Sequence, residues 1–188
     1  SWLAWTRIHA LADRHGRQIE PVPVLLAALL NQHGQLGPGE IPAKRRYVFR
    51  DILRSASHLG VALSPPPAHP FNPLLSLRIA SLDHADADER FAVVDALFEA
   101  VWGGGPGVTD PDALSAFLNG RGLDGPGLIA RAAAPEAKSR LRETTDAALA
   151  AGVFGVPTVL DGDEMFWGFD SFDHLDRSLA NGRSYDRS

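Results

Sequence analysis

A chain of 188 residues with 45% hydrophobic side chains suits one domain, or one domain carrying an insertion, and holds enough apolar material for a sizeable core. The net charge of −5 leaves no basic patch large enough to suggest nucleic acid, and no apolar run reaches the roughly 18–20 residues that span a bilayer. The sequence has 0 cysteines, which excludes redox exchange through a Cys-x-x-Cys pair and zinc sites built on thiolates.

In chain order, apolar positions at Leu3, Ala4, Ile8, Leu11 and Ala12 predict a helix over residues 2–15, ended by Gly16. Gln18–Val24 is predicted as a strand, at an edge or bulge, because Pro21 and Pro23 cannot donate to a ladder. Leu25–Leu30 is apolar on all sides and predicted helical. Asn31–Gly39 is an irregular loop rich in glycine. Helical spacing returns over Pro42–Leu59, and Pro65-Pro66-Pro67 with Pro70 reads as a stiff linker.

Helices are predicted over Asn72–Leu82, Ala87–Trp102, Pro111–Leu118 and Ala137–Ala151. Asp110-Pro111 is a clear start signal, an N-cap side chain followed by proline at the first helical position. Asp83-His84-Ala85-Asp86-Ala87-Asp88-Glu89 is rich in ligand-type side chains but reads as an acidic helix start favoured by the helix dipole, so no metal is expected. Gly103-Gly104-Gly105-Pro106-Gly107 is a flexible turn without the Lys and Ser/Thr of a phosphate loop. Near the end, Thr158–Leu160 and Glu164–Trp167 are strands joined across Asp161-Gly162-Asp163, and Ser171–Ala180 is an amphipathic helix. The chain opens without a charged segment followed by an apolar core, so a cytoplasmic protein is expected.

The stretch Gly152-Val153-Phe154-Gly155-Val156-Pro157-Thr158 stands at the mouth of that hairpin. A small-apolar-Pro-Thr step is where thioredoxin-like folds place a cis-proline, which turns the amide and carbonyl of Val156 outward to pair with an extended thiol peptide. A helix stop followed by a trans proline that opens a strand accounts for the same residues.

The segment GVFGVPTVLDGDEMFWGFDSFDHL, together with Ser1-Trp2-Leu3-Ala4-Trp5 and Gly37-Pro38-Gly39-Glu40-Ile41-Pro42-Ala43-Lys44-Arg45-Arg46-Tyr47, resembles the 2-hydroxychromene-2-carboxylate isomerases and the kappa-class glutathione transferases. Three motifs in the expected order cover nearly the whole chain. The resemblance implies an α/β, thioredoxin-like fold, akin to the bacterial disulfide oxidoreductases, with a large all-helical insertion. Residues 1–24 and 142–188 would form the thioredoxin-like domain and 25–141 the insertion, with a ligand groove between them. It implies too that the first strand of the fold is absent from the chain. The thiol-activating serine of the family would precede Ser1, so no catalytic residue is assigned, and Ser1 itself reads as a helix N-cap.

Glutathione is the implied cofactor. Its thiolate is the reactive form, stabilised by a hydroxyl and by the helix N-terminus at Trp2–Trp5. By resemblance, Lys44 would meet the glycine carboxylate of glutathione or the acid of the substrate. It is one of 2 lysines beside 16 arginines, and a compact ammonium suits a carboxylate. Gln35 stands where the family often has Asn and would pair with the peptide backbone. Val156 and Pro157 would present the added-strand surface, and Asp170 would hold the α-amino group of the glutamyl residue, although Ser171 replaces the Arg that often follows. Trp167 would wall the pocket of an aromatic substrate, with a place in the core or on the hairpin face as its structural alternative. Asn72 and Arg78, nearly two turns apart on a predicted helix, are candidates for an acidic substrate. His33 reads as a solvated loop histidine.

The implied function is a glutathione-dependent isomerase acting on an aromatic-degradation intermediate, with a kappa-type glutathione transferase as the close variant. A non-catalytic thiol-peptide-binding domain is the alternative from another class. A homodimer is common in the resembling family.

Overall fold

The computed structural model describes residues 1–66 and 68–182. Pro67 of the predicted proline linker and residues 183–188 of the predicted C-terminal piece lie outside the described residues. Two compact units are present: Ser1–Glu20 with the segment from Val153 onward, and Pro21–Gly152.

The first unit contains α1 (Trp2–Arg14), the hairpin β1 (Thr158–Asp161) and β2 (Glu164–Trp167), a 3-10 turn at Phe169–Ser171, and α9 (Phe172–Asn181). The antiparallel register sets Thr158 opposite Trp167 and Val159 opposite Phe166. Strand alternation sends Val159 and Phe166 to one face, where they pack with Ala4, Ile8 and Leu11 of α1 and Phe172 and Leu175 of α9. Leu160 and Trp167 point the other way and are exposed. His15, just after α1, and Asp176 of α9 are joined by a 2.6 Å hydrogen bond, with Arg14 2.7 Å from the other carboxylate oxygen. The His15 bond, with Arg14 beside it, holds the Asp176 carboxyl below the usual range.

The second unit is helical: α2 (Leu26–Gln32), α3 (Pro42–Leu59), α4 (Leu74–Ala80), α5 (Ala87–Trp102), α6 (Pro111–Gly120), α7 (Gly125–Ala133) and α8 (Pro135–Ala150). Its core joins Ile79, Val93, Leu97, Leu114, Leu118 and Leu128 from four consecutive helices, α4 to α7. Local signals account for the starts. Pro42 opens α3, Asp86 accepts from the Glu89 amide at 2.9 Å, and Asp110 accepts from the amides of Asp112 and Ala113 at 3.0 and 3.2 Å. No helix among the described residues is long and apolar enough to cross a membrane.

Three elements differ from the sequence reading. Gln18–Val24 forms no strand. Pro21 and Pro23 bring no amide hydrogens. The Pro23 carbonyl is taken by the Thr144 hydroxyl at 2.7 Å, and the Leu25 amide donates to Thr145 Oγ1 at 3.1 Å, so α8 side chains meet backbone groups a ladder would have used. Helix α4 begins only at Leu74. Helix α7, not among the predicted elements, opens on Gly125-Pro126-Gly127, and Asp124 caps it by accepting from the Gly127 amide at 3.0 Å. A Cβ at Gly125 would strike the carbonyl of Ser115, so this glycine permits the close approach of α6 and α7.

The acidic segment ahead of α5 is structural. Asp86 is the cap, Asp83 pairs with Arg140, and the His84 side chain is wholly buried with Nδ1 3.9 Å from Glu89. Burial chiefly, with Arg131 and Arg90, lowers the His84 pKa, while Glu89 and the Ala80 carbonyl pull it upward. The folded state therefore resists a proton that the unfolded chain accepts near the ordinary value of about 6.5. This contribution to stability is full at neutral pH and is lost as pH falls through that value, levelling off below the folded pKa. Thermal melts between about pH 7.5 and about pH 5 are expected to drop more steeply for the parent than for His84→Gln. Equal slopes would exclude this role.

Candidate functional site

The first unit gathers its chemistry around the loop between Val153 and β1. Val153 is buried and anchors the loop. The Val156–Pro157 peptide bond is cis. Two hydrogen bonds hold the step. The Thr158 hydroxyl donates to the Gly155 carbonyl at 2.7 Å, and the Gly168 amide donates to the Pro157 carbonyl at 2.9 Å. The second ties the loop to the far end of β2. Neither the amide nor the carbonyl of Val156 has a hydrogen-bond partner among the described residues. Two backbone groups from one residue, in a loop fixed on both sides, are what an extended peptide needs in order to add as a strand.

Gly155 explains the neighbouring aromatic pair. A Cβ at that position would meet the indole of Trp167, so glycine lets the ring lie close against the backbone. Trp167 is 53% exposed, and its ring centroid lies 5.1 Å from that of Phe154. Trp167 thus sits on the outer hairpin face, away from Phe166. Phe154 has no periodic signal in the sequence, and only the Gly155 spacing beside it hints at the pair.

Asp170 lies in the 3-10 turn one residue ahead of the α9 N-cap, Ser171. The chain reaches it through Gly168, whose φ of 90° belongs to glycine, and a Cβ there would strike Asp170 Oδ1. The Ser171 hydroxyl donates to the Gly168 carbonyl at 2.8 Å and closes the turn. The Asp170 carboxylate is exposed and has no hydrogen bond or ion pair among the described residues. An anion beside a helix N-terminus is stabilised there and stays available to a cation. Ser1 occupies the N-cap position of α1, but its side chain makes no cap hydrogen bond.

In the second unit, Gln35 is exposed just after α2. The helix ends with Gly34 in the left-handed region, the Gln35 amide bonding back to the Leu30 carbonyl at 2.9 Å, which leaves the Gln35 side chain outside the turn. Lys44 lies in the first turn of α3, exposed and without an acidic partner among the described residues. Asn72 is not on a helix with Arg78, as the sequence suggested. It precedes α4, and its Oδ1 accepts from the Leu74 amide at 3.0 Å. That bond competes with a helical conformation at Asn72 and explains the later start. Arg78 is within α4, and its Nε is buried without an acceptor among the described residues. His33 is exposed after α2.

The model of the DSBA-like thioredoxin domain matches residues 1–180. The chain belongs to this DSBA-like thioredoxin family. Its relatives include the 2-hydroxychromene-2-carboxylate isomerase of Sphingobium xenophagum, 29% identical over 183 residues, covering 96% of this chain and 92% of that protein. The enzyme of the same name from Pseudomonas putida is 30% identical, with 96% and 88% covered. Human glutathione S-transferase kappa 1 is 25% identical over 195 residues, with 96% and 85% covered. A solved structure of 2-hydroxychromene-2-carboxylate isomerase superposes with a TM-score of 0.86 at 30% identity, over 96% of this chain and 88% of that one. The thioredoxin-like fold implied by the three sequence motifs is therefore the fold of this DSBA-like member. It is mostly helical, and its sheet has two strands among the described residues.

Proposed function

We propose that the chain acts as a glutathione-dependent isomerase, of the kind named in its relatives, on a small aromatic-degradation intermediate. The observation that carries this reading is the fixed loop at Val156, whose unspent amide and carbonyl fit a thiol peptide in extended form. Bound glutathione supplies a thiolate nucleophile, the reactive form of a thiol.

The residues present fit such a ligand. Val156 pairs with its backbone. Asp170, an unpartnered carboxylate, takes the α-ammonium group. Lys44 takes a carboxylate, and the Gln35 amide a peptide group. The amides that open α1 stabilise negative charge. Trp167 and Phe154 offer flat apolar surface to an aromatic substrate, and Arg78, with Asn72, suits its acid. The contribution of the protein is orientation and anion stabilisation, since the nucleophile comes with the cofactor. By resemblance the serine that activates the thiol would stand upstream of Ser1, and the enzyme works as a cytoplasmic homodimer. A kappa-type transferase would use the same glutathione contacts. The Val156 surface serves a non-catalytic thiol-peptide binder equally well.

Calorimetric titration with glutathione is expected to show saturable one-to-one binding below about 1 mM, with glutathione-dependent turnover of 2-hydroxychromene-2-carboxylate. Saturable binding without turnover of this acid or of a transferase substrate would support the binder. No binding would overturn all three readings.

A further inference from the structure

We propose that α3 carries a second ligand site, for a soluble nucleoside di- or triphosphate, separate from the residues assigned to glutathione. The helix holds five cations, Lys44, Arg45, Arg46, Arg50 and Arg54, against one carboxylate, Asp51. This is a locally positive element in a chain of net charge −5. Arg46, Arg50 and Arg54 recur every fourth residue and so share one face, where like charges repel. None of the three has an ion-pair partner among the described residues, Asp51 included.

Among the described residues other arginines are divided between paired and unpaired: Arg90, Arg142 and Arg177 have no ion pair either, whereas several are spent. Arg7, Arg14, Arg121 and Arg140 pair with acids, and Arg131 donates to the Asp83 carbonyl. The stripe on α3 is unspent, and it borders a depression of about 390 Å³ lined by Ala43, Arg46, Tyr47, Arg50 and Arg54. The depression is open and lined by α3 alone, so a ligand there would lie along the helix face. Planar guanidinium forks bind phosphate oxygens in bidentate fashion, and three of them along roughly 12 Å of helix match a run of phosphates. Tyr47 lies in the same depression and is 63% exposed, an aromatic face on which a base can stack. Together the two features point to a nucleotide rather than to a simple anion.

Titration of the whole chain with ATP, inorganic tripolyphosphate and adenosine tests the site. ATP is expected to bind one-to-one, tripolyphosphate more weakly and adenosine not detectably. Added salt should weaken ATP binding, since the contacts are exposed ion pairs. Arg50→Gln is expected to weaken ATP by about tenfold or more, and Arg50→Glu to abolish its binding. Tyr47→Ala should bring ATP to the level of tripolyphosphate. Glutathione titration and circular dichroism of each variant should be unchanged, which separates this site from the proposed function and from misfolding. Absence of ATP binding at about millimolar ligand, or equal binding by the parent and Arg50→Glu, would overturn the proposal. Equal affinity for ATP and tripolyphosphate would overturn the nucleotide assignment.

Discussion

Phe172→Ala is expected to destabilise the first unit by about 3–5 kcal/mol, the range for emptying a buried aromatic site. Phe172 is 1% exposed and opens α9 in contact with the faces of α1 and β2. Its ring lies 6.4 Å from that of Phe169, and the Arg7 guanidinium stands 5.4 and 5.6 Å from the two ring centroids. The core it belongs to has five buried members, so few neighbours are available to collapse into the space. With a urea dependence of about 1–3 kcal/mol per molar, the midpoint should fall by roughly 2 M. Tryptophan fluorescence reports the change, since Trp2, Trp5 and Trp167 all lie in the first unit. A midpoint shift below about 0.5 M would mean that the hairpin and α9 are held by something other than this ring.

Asp170→Ala is expected to weaken glutathione by about 10- to 100-fold, the loss of one charge-assisted contact to an ammonium group. The same change should barely move the melting temperature. Asp170 is exposed and makes no hydrogen bond among the described residues, so its structural share is its charge beside α9, about 0.3–1 kcal/mol. The split between affinity and stability is the informative readout. S-methylglutathione, which keeps the α-ammonium group but cannot form a thiolate, should lose affinity to the same degree. Glutathione binding within about twofold of the parent would remove Asp170 from the site. Lowered stability with unchanged affinity would make it a structural residue of the turn that Gly168 permits.

The legibility of the chain divides along the range of the interactions. Helices α3 and α5 match their predicted limits, because Pro42, Gly60 and Asp86 act within a few residues of the ends they define. The hairpin was readable from Asp161-Gly162-Asp163 between two apolar runs, and the three family motifs pointed to the thioredoxin-like fold. Candidate residues were legible as types: an amide, a lysine among arginines, and a carboxylate ahead of a helix.

By itself, then, the sequence determined most of the helices, the C-terminal hairpin, the ends of α3 and α5, the absence of cysteine chemistry and the family. Tertiary structure decided what depends on partners far along the chain. Thr144 hydrogen-bonds to the backbone of Pro23, in the stretch that reads as a strand, and Thr145 to that of Leu25 just after it. Helix α7 exists because Gly125 lets its backbone rest on α6. Trp167 is a surface residue because the register gives the core to Phe166, and Arg46, Arg50 and Arg54 of α3 stand out because no acid among the described residues pairs with them. A local signal is set by backbone sterics and nearby hydrogen bonds, whereas pairing and burial are set by whichever surfaces the whole chain brings together.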